Sequence, residues 1–337
     1  MKIYYPAAHG SLKQPPYIDW STWRSVARAA LGWAPAFIFS HLPQIQIDLA
    51  EGAALHPAAE NLPVVVFSHG NSGLPAMYWA FISNFVQAGH IVICPEHNDG
   101  SAARVQLDDG SSYDYEQPDE KFAGISDPAQ RQVKQEKWRR QQLKRRVAEA
   151  IASMDSLLIS SADKSSCWYQ AANPERLAYV GHSFGGATAV VAAERDPRAR
   201  VCAAFDCWAE ASGPIDPQML TSGINRCPTL LVQCEDWVGG ESDKTLQAYL
   251  LTPWEKRGHP ANLMWVAEKA RHSNFTDFPL LAPNLVRLLR QAGAVNGIKC
   301  MRATFQQTME YVCYQTKRSQ LFTAVALIIR VVCVQVF

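Results

Sequence analysis

The sequence predicts an α/β fold, with a doubly wound, mostly parallel β-sheet flanked by helices. Two observations carry this prediction. Short runs of apolar and β-branched residues alternate with helical segments, and the joints between them are short. One joint, at residues 181–186, reads Gly-His-Ser-Phe-Gly-Gly between a strand-type run and a helix of small residues. A sheet whose strands carry functional residues at their ends is therefore expected.

Residues 1–60 come first and are rich in Pro, Trp and Ala. They predict an irregular, partly helical lead-in that packs on the core. Its aromatic and apolar side chains include Trp20, Trp23, Trp33, Phe37, Ile38 and Phe39, and aromatic residues at this density are more often core.

The predicted catalytic domain spans residues 61–300. It opens with a buried strand at 63–67, a helix at about 75–88 and a second strand at 91–95, and these short connections favour parallel pairing. Residues 98–127 then turn polar and predict a surface insertion or a lid.

A long helix is predicted from 128 to about 160. Its first half is basic, which is typical of a solvated face, and its second half carries apolar residues at helical spacing. Further strands are predicted at 177–180, 201–205, 229–233 and 263–266. With alternating helices, these strands complete the sheet of an α/β hydrolase.

Ser183 is the candidate nucleophile, because Gly181 and Gly185 flank it in the pattern G-x-S-x-G. A serine on a tight strand-to-helix turn needs glycines on either side, since side chains there would collide with the neighbouring strand and helix. The turn exposes the hydroxyl and aims the next amide, that of Phe184, at the position where an oxyanion forms. Asn71, in the loop after the first strand, is the candidate second donor.

A serine nucleophile needs a histidine base and a carboxylate that orients it, and α/β hydrolases carry them in the chain order Ser, acid, His. His272 fits the position after the last strand better than His259, which lies in a Gly-His-Pro turn. Asp206 and Asp236 each end a strand, so the residues alone leave both as candidate acids. The remaining histidines near the serine, His69, His97 and His182, are expected to be structural or to belong to the oxyanion loop.

Composition excludes several other classes. The net charge is +1, and no basic stripe interleaved with aromatic residues indicates nucleic acid. Nine cysteines without a C-x-x-C pair predict reduced thiols rather than a disulfide scaffold or a zinc site. No metal or cofactor is expected.

The two ends of the chain bear on localisation. The N-terminus lacks the pattern of a signal peptide, and we expect a cytoplasmic protein that can associate with membranes. Residues 301–337 predict a C-terminal segment with an apolar tail at 321–337, interrupted by Arg330. An arginine inside a membrane is costly, so docking of the tail on the core or on an interface is favoured over spanning.

Four blocks together resemble the platelet-activating-factor acetylhydrolases of the plasma and intracellular type II kind, the group VII phospholipases. These blocks are Val-Val-Phe-Ser-His-Gly at 65–70, Gly-His-Ile-Val running to Pro-Glu-His at 89–97, the serine turn at 181–186, and His-Ser-Asn-Phe-Thr-Asp-Phe at 272–278. Between the last two, Asp-Cys-Trp at 206–208 is similar to the Asp-x-Trp block that supplies the acid in that family. The resemblance covers residues 60–285 and favours Asp206 over Asp236.

The resemblance implies a calcium-independent serine esterase that removes an sn-2 acetyl, short or oxidised acyl group from phospholipids such as platelet-activating factor. It also implies contact with a lipid surface through apolar helices, for which the six aromatic and apolar residues of the lead-in, from Trp20 to Phe39, are the candidates. The chain departs from the family at Asn71, where a small apolar residue is usual, and at Asn98, which intervenes before Asp99. Two alternatives stay open. One is a general carboxylesterase or lipase acting on small esters, and the other is a non-catalytic binding protein on the same fold.

Overall fold

A computed structural model describes residues 1–8, 15–31, 40–107, 109–209, 224, 226–240, 244, 259, 261–288, 290–315 and 331–335. Its strands are β1 (Lys2–Pro6), β2 (Leu49–Glu51), β3 (Leu62–Ser68), β4 (Ile91–Cys94), β5 (Arg104–Gln106), β6 (Ser112–Asp114), β7 (Ala172–His182), β8 (Ala199–Phe205), β9 (Thr229–Cys234), β10 (Leu263–Ala267) and β11 (Val331–Gln335). Its helices are α1 (Trp20–Leu31), α2 (Trp79–Gln87), α3 (Pro118–Lys121), α4 (Pro128–Ala162), α5 (Phe184–Arg195), α6 (Phe278–Leu281), α7 (Pro283–Leu288) and α8 (Gly297–Gln315).

Within these residues, nine strands form one sheet in the order β10-β9-β8-β7-β3-β4-β1-β11-β2. The six strands from β10 to β4 all run parallel to their neighbours. Strand β1 is antiparallel to both β4 and β11, and β11 pairs with β2 in parallel. The predicted doubly wound, mostly parallel sheet is confirmed, and the five predicted strands of the catalytic domain that follow 63–67 all belong to it.

Both faces of the sheet are covered by helices. Strand β3 shows why a continuous apolar run was needed, because Val65 and Phe67 face one core cluster while Val64 and Val66 face the other. Helices α2 and α8 pack on the first face, with α4 and α5 on the second. Because the strands from β10 to β4 are parallel, their carboxyl ends lie along one edge of the sheet, and the candidate site residues lie at that edge.

The N-terminal lead-in is more regular than the sequence predicted. Strands β1 and β2 extend the central sheet, and helix α1 contributes Trp23, Val26 and Ala27 to the core cluster on one face. Trp23 is only 1% exposed, so it belongs to the core, whereas Trp20 is 48% exposed. The other lipid-contact candidates, Trp33 and residues 37–39, lie outside the described residues.

The C-terminal segment begins as helix α8, whose apolar side packs on α2 through a ring contact between Phe305 and Phe85. The structure then places β11 between β1 and β2, which is the docked-strand alternative for the tail. Residues 316–330 lie outside the described residues. Among the helices in the described part of the chain, none combines the length and the apolar character needed to cross a bilayer.

The interpretation of the basic half of α4 as a solvated face is wrong at two positions. Arg139 is 8% exposed and Arg146 is fully buried. Both continue the buried stripe that runs through Leu143 and Val147 at helical spacing. The stripe carries charge because this part of α4 packs against a loop whose backbone and side-chain oxygens need donors.

A glycine-to-alanine change tests the close approach of α5 to β3. A Cβ atom at Gly185 would collide with the backbone carbonyl of Ser68, and neither backbone segment can retreat without disturbing the sheet. Overpacking of this kind costs about 1–3 kcal/mol or more. We therefore expect Gly185→Ala to lower the free energy of unfolding by at least about 2 kcal/mol, measured by urea denaturation.

Gly124→Ala is the matched control, because a Cβ atom at Gly124 has nothing within 4 Å. Equal unfolding midpoints for the two variants would contradict the packing described for α5.

Candidate active site

The turn at Ser183 joins β7 to α5 and has an uncommon backbone conformation. Ser183 has φ 57° and ψ −121°, a left-handed conformation that costs a non-glycine residue about 1–3 kcal/mol. Two hydrogen bonds hold it there: the Ser183 amide donates to the carbonyl of Phe205 (2.8 Å), and its carbonyl accepts from the amide of Trp208 (3.0 Å). A Cβ atom at Gly181 would collide with the backbone of Gly185, so this turn needs its glycines. It has the strand–turn–helix form that the motif predicted.

Asp206 and His272 meet beside this turn. Asp206 follows β8 directly and is fully buried, and His272 lies in the loop after β10 with 36% of its side chain exposed. The distance from His272 Nδ1 to Asp206 Oδ2 is 3.0 Å, while the amide of Cys234 donates to Asp206 Oδ1 at 2.6 Å. Both carboxylate oxygens thus accept a hydrogen bond, and the imidazole is oriented through Nδ1, which leaves Nε2 to exchange a proton.

The structure does not bring the alternative acid, Asp236, to the imidazole. Its side chain is half exposed and pairs with Arg271, with 3.0 Å between Asp236 Oδ2 and Arg271 Nε. The next residue, Trp237, instead stacks on the His272 ring at 4.6 Å between centroids, with an interplanar angle of 2°. The end of β9 therefore supplies a flat apolar surface to the imidazole rather than a carboxylate.

The loop after β3 lies against the nucleophile, since a Cβ atom at Gly70 would be 3.2 Å from Ser183 Cβ. The Gly70 amide is already used, because it donates to the Tyr78 hydroxyl at 3.0 Å. Within the described residues, the amides of Asn71 and Phe184 have no protein acceptor. These two amides are thus available to a ligand oxygen, in agreement with the pair that the sequence favours as oxyanion donors.

Beneath this loop lies a buried ion pair that the sequence did not reveal. Arg146 Nε lies 3.2 Å from Asp99 Oδ2, and Arg146 also donates to the carbonyl of His69 at 2.7 Å. Its guanidinium carbon is 4.7 Å from the centroid of the Phe184 ring. Arg146 thus contacts both backbone segments that carry the candidate oxyanion donors, namely the loop after β3 and the start of α5. The buried stripe of α4 is the signal that could have identified it.

Each of the remaining histidines is held by hydrogen bonds. His182 Nδ1 lies 2.9 Å from the Tyr78 hydroxyl, which bridges it to Gly70, and its ring lies 4.4 Å from that of His272. Burial, followed by the neighbouring His272 charge, lowers the pKa of His182 well below its usual value. His182 therefore adds no positive charge beside the imidazole of His272.

His97 and His69 are buried deeper. His97 bridges Ser68 Oγ (2.7 Å, through Nε2) and Glu149 Oε2 (2.9 Å, through Nδ1). His69 Nδ1 lies 2.8 Å from the carbonyl of Gly70. Burial, with a smaller contribution from Arg146, lowers the pKa of both histidines. Both therefore serve as neutral supports of the loop.

One other sequence candidate, His259, and one cluster with metal-ligand spacing can be placed. His259 lies in the turn before β10, where its Nδ1 accepts from the amide of Ala261 at 3.2 Å. The ligand atoms of His182, Asp206 and His272 lie within 4.8 Å of one another, a spacing that a metal ion could use. Hydrogen bonds to Tyr78 and within the His272–Asp206 pair already account for this cluster.

Asp277 connects the His272 loop to the other side of the site. It is 2% exposed, and its carboxylate accepts from the amides of Trp79 (2.6 Å) and Ala80 (3.1 Å) and from the hydroxyl of Tyr17 (3.1 Å). The Asp277 carboxylate thereby accepts hydrogen bonds from the free amides at the N-terminus of α2, which begins directly after Tyr78. Burial raises the pKa of Asp277 to about 7, against the three donors, which lower it.

Comparison with known proteins extends this description. The profile of the family described as platelet-activating factor acetylhydrolase, isoform II, matches residues 1–321. A curated platelet-activating factor acetylhydrolase from Gallus gallus is 24% identical over 255 residues, which cover 70% of this chain and 58% of that protein. The one from Canis lupus familiaris is 25% identical over 239 residues, covering 67% and 51%. The one from Cavia porcellus is 24% identical over 321 residues, covering 88% and 68%.

The chain thus spans between half and three fifths of the length of the first two relatives. Among solved structures, a ferulic acid esterase from Streptomyces cinnamoneus superimposes with a TM-score of 0.65 at 18% identity, covering 98% of this chain and 86% of that one. The fold and the serine turn define an α/β hydrolase. The family match is more specific: the chain belongs to the platelet-activating factor acetylhydrolase family, isoform II, which confirms the resemblance found in the sequence.

The raised pKa of Asp277 predicts a particular dependence of stability on pH. Between about pH 4 and pH 7 the folded state keeps a proton on Asp277 that the unfolded chain has lost. Asp277 should therefore contribute a fall in the free energy of unfolding as pH rises through this window, a slope of up to about 1.4 kcal/mol per pH unit that ends above it and opposes the rise contributed by the buried histidines His69, His97 and His182. We expect Asp277→Asn to remove this slope, measured by urea denaturation at a series of pH values.

Asp236→Asn, which changes an exposed carboxylate, should keep the slope of the wild type and serves as the control. Parallel curves for the wild type and Asp277→Asn would show that this carboxylate is ionised throughout.

Proposed function

We propose that the chain is a serine-dependent carboxylic ester hydrolase that removes an sn-2 acetyl, short or oxidised acyl group from phospholipids without calcium. The observation that carries the proposal is the 3.0 Å hydrogen bond between His272 Nδ1 and the buried carboxylate of Asp206, next to the strained turn of Ser183. A histidine oriented in this way beside a serine is the arrangement that acyl transfer needs. Membership of the family supports the choice of substrate.

In the acylation step, Ser183 Oγ attacks the ester carbonyl while His272 Nε2 takes its proton. Asp206 holds the correct tautomer through Nδ1 and stabilises the imidazolium that forms. The negative charge that develops on the carbonyl oxygen is held by the amides of Asn71 and Phe184, which carry no protein acceptor in the described part of the chain. His272 then protonates the leaving oxygen of the lysophospholipid.

In the second step, water attacks the acyl group on Ser183 with His272 again as the base. The neutral His182 matters here, because a second positive charge would disfavour the imidazolium. The stacked Trp237 ring shields one face of the imidazole and fixes its plane. In this step the proton passes from the attacking water to His272 Nε2 and from there to Ser183 Oγ.

Contact with a lipid surface is part of the proposal. Trp20 supports it, since this ring on α1 is 48% exposed and lies in the lead-in that the sequence singled out. Trp23 is buried and takes no part in such a contact. The surface would bring membrane lipids to the enzyme.

Labelling with a fluorophosphonate tests the nucleophile and the acid. We expect Ser183→Ala to abolish labelling, and Asp206→Asn to slow labelling and ester hydrolysis about 10³- to 10⁴-fold, because the amide holds the imidazole in the wrong tautomer and does not stabilise the imidazolium. Asp236→Asn is the matched control and should stay within about twofold of the wild type, since Asp236 pairs with Arg271. Wild-type protein that is folded but unlabelled would favour the non-catalytic alternative, and loss only in Asp236→Asn would move the acid to β9.

A substrate series tests the specificity. With phosphatidylcholines of increasing sn-2 chain length, we expect kcat/KM to fall by at least about tenfold, or 1.4 kcal/mol, between an acetyl and a long unmodified chain. A chelator of calcium should leave the rates unchanged. Turnover of small soluble esters without turnover of the acetyl phospholipid would instead indicate a general carboxylesterase.

A further inference from the structure

The polar insertion at 98–127 is tied to the oxyanion loop by backbone hydrogen bonds. Strands β5 and β6 form an antiparallel hairpin. The amide of Ser72 donates to the carbonyl of Ser101 (2.7 Å), and the amide of Ala103 donates to the carbonyl of Gly73 (3.0 Å). The amide of Tyr115 donates back to Ala103 at 3.2 Å. The described part of the insertion is therefore joined to the oxyanion loop by backbone hydrogen bonds and does not simply cover it.

Three side chains close a hydrogen-bonded ring at this junction. Arg139 Nη1 donates to Asn71 Oδ1 (3.0 Å), and Asn71 Nδ2 donates to the Tyr115 hydroxyl (2.9 Å). Arg139 Nη2 donates to the same hydroxyl at 3.1 Å. The oxygen of the Asn71 side-chain amide is thus hydrogen-bonded to α4, and its nitrogen is hydrogen-bonded to the insertion. The amide oxygen accepts from one partner while the amide nitrogen donates to the other.

Arg139 is itself firmly held. Its guanidinium carbon lies 4.3 Å from the Trp138 ring centroid and 5.6 Å from that of Trp208, and it donates to Gln142 Oε1 at 2.8 Å. Trp208 in turn donates its amide to the carbonyl of Ser183. In the described ranges, no carboxylate pairs with Arg139, and its acceptors on Asn71, Gln142 and Tyr115 are all neutral.

A buried cation that has no counter-ion among the described residues is costly for stability, so its presence near the Ser183 turn calls for a functional reason. Loop amides that stabilise an oxyanion must be fixed before the reaction, because donors that reorganise during it lose most of their effect. A fork that holds the Asn71 side chain also limits rotation of the Asn71 backbone.

We propose that Asn71, Tyr115 and Arg139 form an oxyanion-loop clamp, in which Tyr115 and Arg139 are positioning residues that hold the Asn71 amide for the transition state. The inference rests on the proposed ester hydrolysis. The insertion thus belongs to the catalytic scaffold and does not open as a lid at this point. The clamp acts on kcat and leaves substrate binding largely unchanged, since it touches the loop and not the leaving group.

Tyr115→Phe and Arg139→Lys test the clamp. The first removes one hydroxyl, and the second keeps the charge but loses the fork that spans two acceptors. We expect each to lower kcat about ten- to a hundredfold, with KM within about threefold of the wild type, because misplacement of a donor costs up to about 10². The double variant should lose no more than the worse single variant, since either change opens the ring.

Tyr113→Phe is the matched control. Tyr113 lies in the same hairpin and donates to Asn98 rather than to the oxyanion loop, so its kcat should stay within about twofold. Rates are compared well below the unfolding midpoint of each variant, which separates misplacement from loss of folded protein.

The outcomes separate the clamp from the function on which it rests. If the wild type neither labels with fluorophosphonate nor hydrolyses an ester, the proposed function fails. If the wild type is active and the two clamp variants match Tyr113→Phe in kcat, the clamp alone is overturned. A loss carried by KM with kcat preserved would also overturn it, because substrate contact would then explain the effect.

Discussion

The site depends on one constraint, the left-handed backbone of Ser183 at the tight joint between β7 and α5. This conformation opposes folding by about 1–3 kcal/mol, so the surroundings must impose it. They do so by placing the start of α5 so close to β3 and β7 that only glycine fits at 181 and 185. The same packing sets the Phe184 amide at the helix start and brings Ser183 to the end of β8, where Asp206 lies. The positions of the proposed nucleophile, oxyanion donor and acid therefore all depend on the same packing of α5 against the sheet.

A second layer of buried polar groups supports the loop that faces this turn. Arg146 and Asp99 hold its carbonyls and its neighbour Phe184, while Tyr78 occupies the Gly70 amide and His182 together. We therefore view the long helix α4 as part of the active-site scaffold, although much of its length is exposed.

The sequence was informative where the determinants were local. Buried β-branched runs predicted the parallel strands, the pattern around Ser183 predicted the turn, and chain order selected His272. Strands β1 and β2 were not foreseen, because they are short and pair with partners far away in the chain. Asp206 and Asp236 both end strands, so the residues alone could not separate them, and only the family resemblance favoured Asp206. Arg139 and Arg146 were misjudged because a run of basic residues usually marks a solvated face.

A crystal structure of the protein after reaction with a phosphonate ester would test the central claim most directly. The account predicts phosphorus bonded to Ser183 Oγ, with the phosphoryl oxygen about 2.7–3.1 Å from the amides of both Asn71 and Phe184. It also predicts that His272 stays hydrogen-bonded to Asp206 and turns Nε2 toward the phosphonate. A phosphoryl oxygen directed away from the Asn71 amide, or phosphorus on another residue, would contradict the assignment of the site.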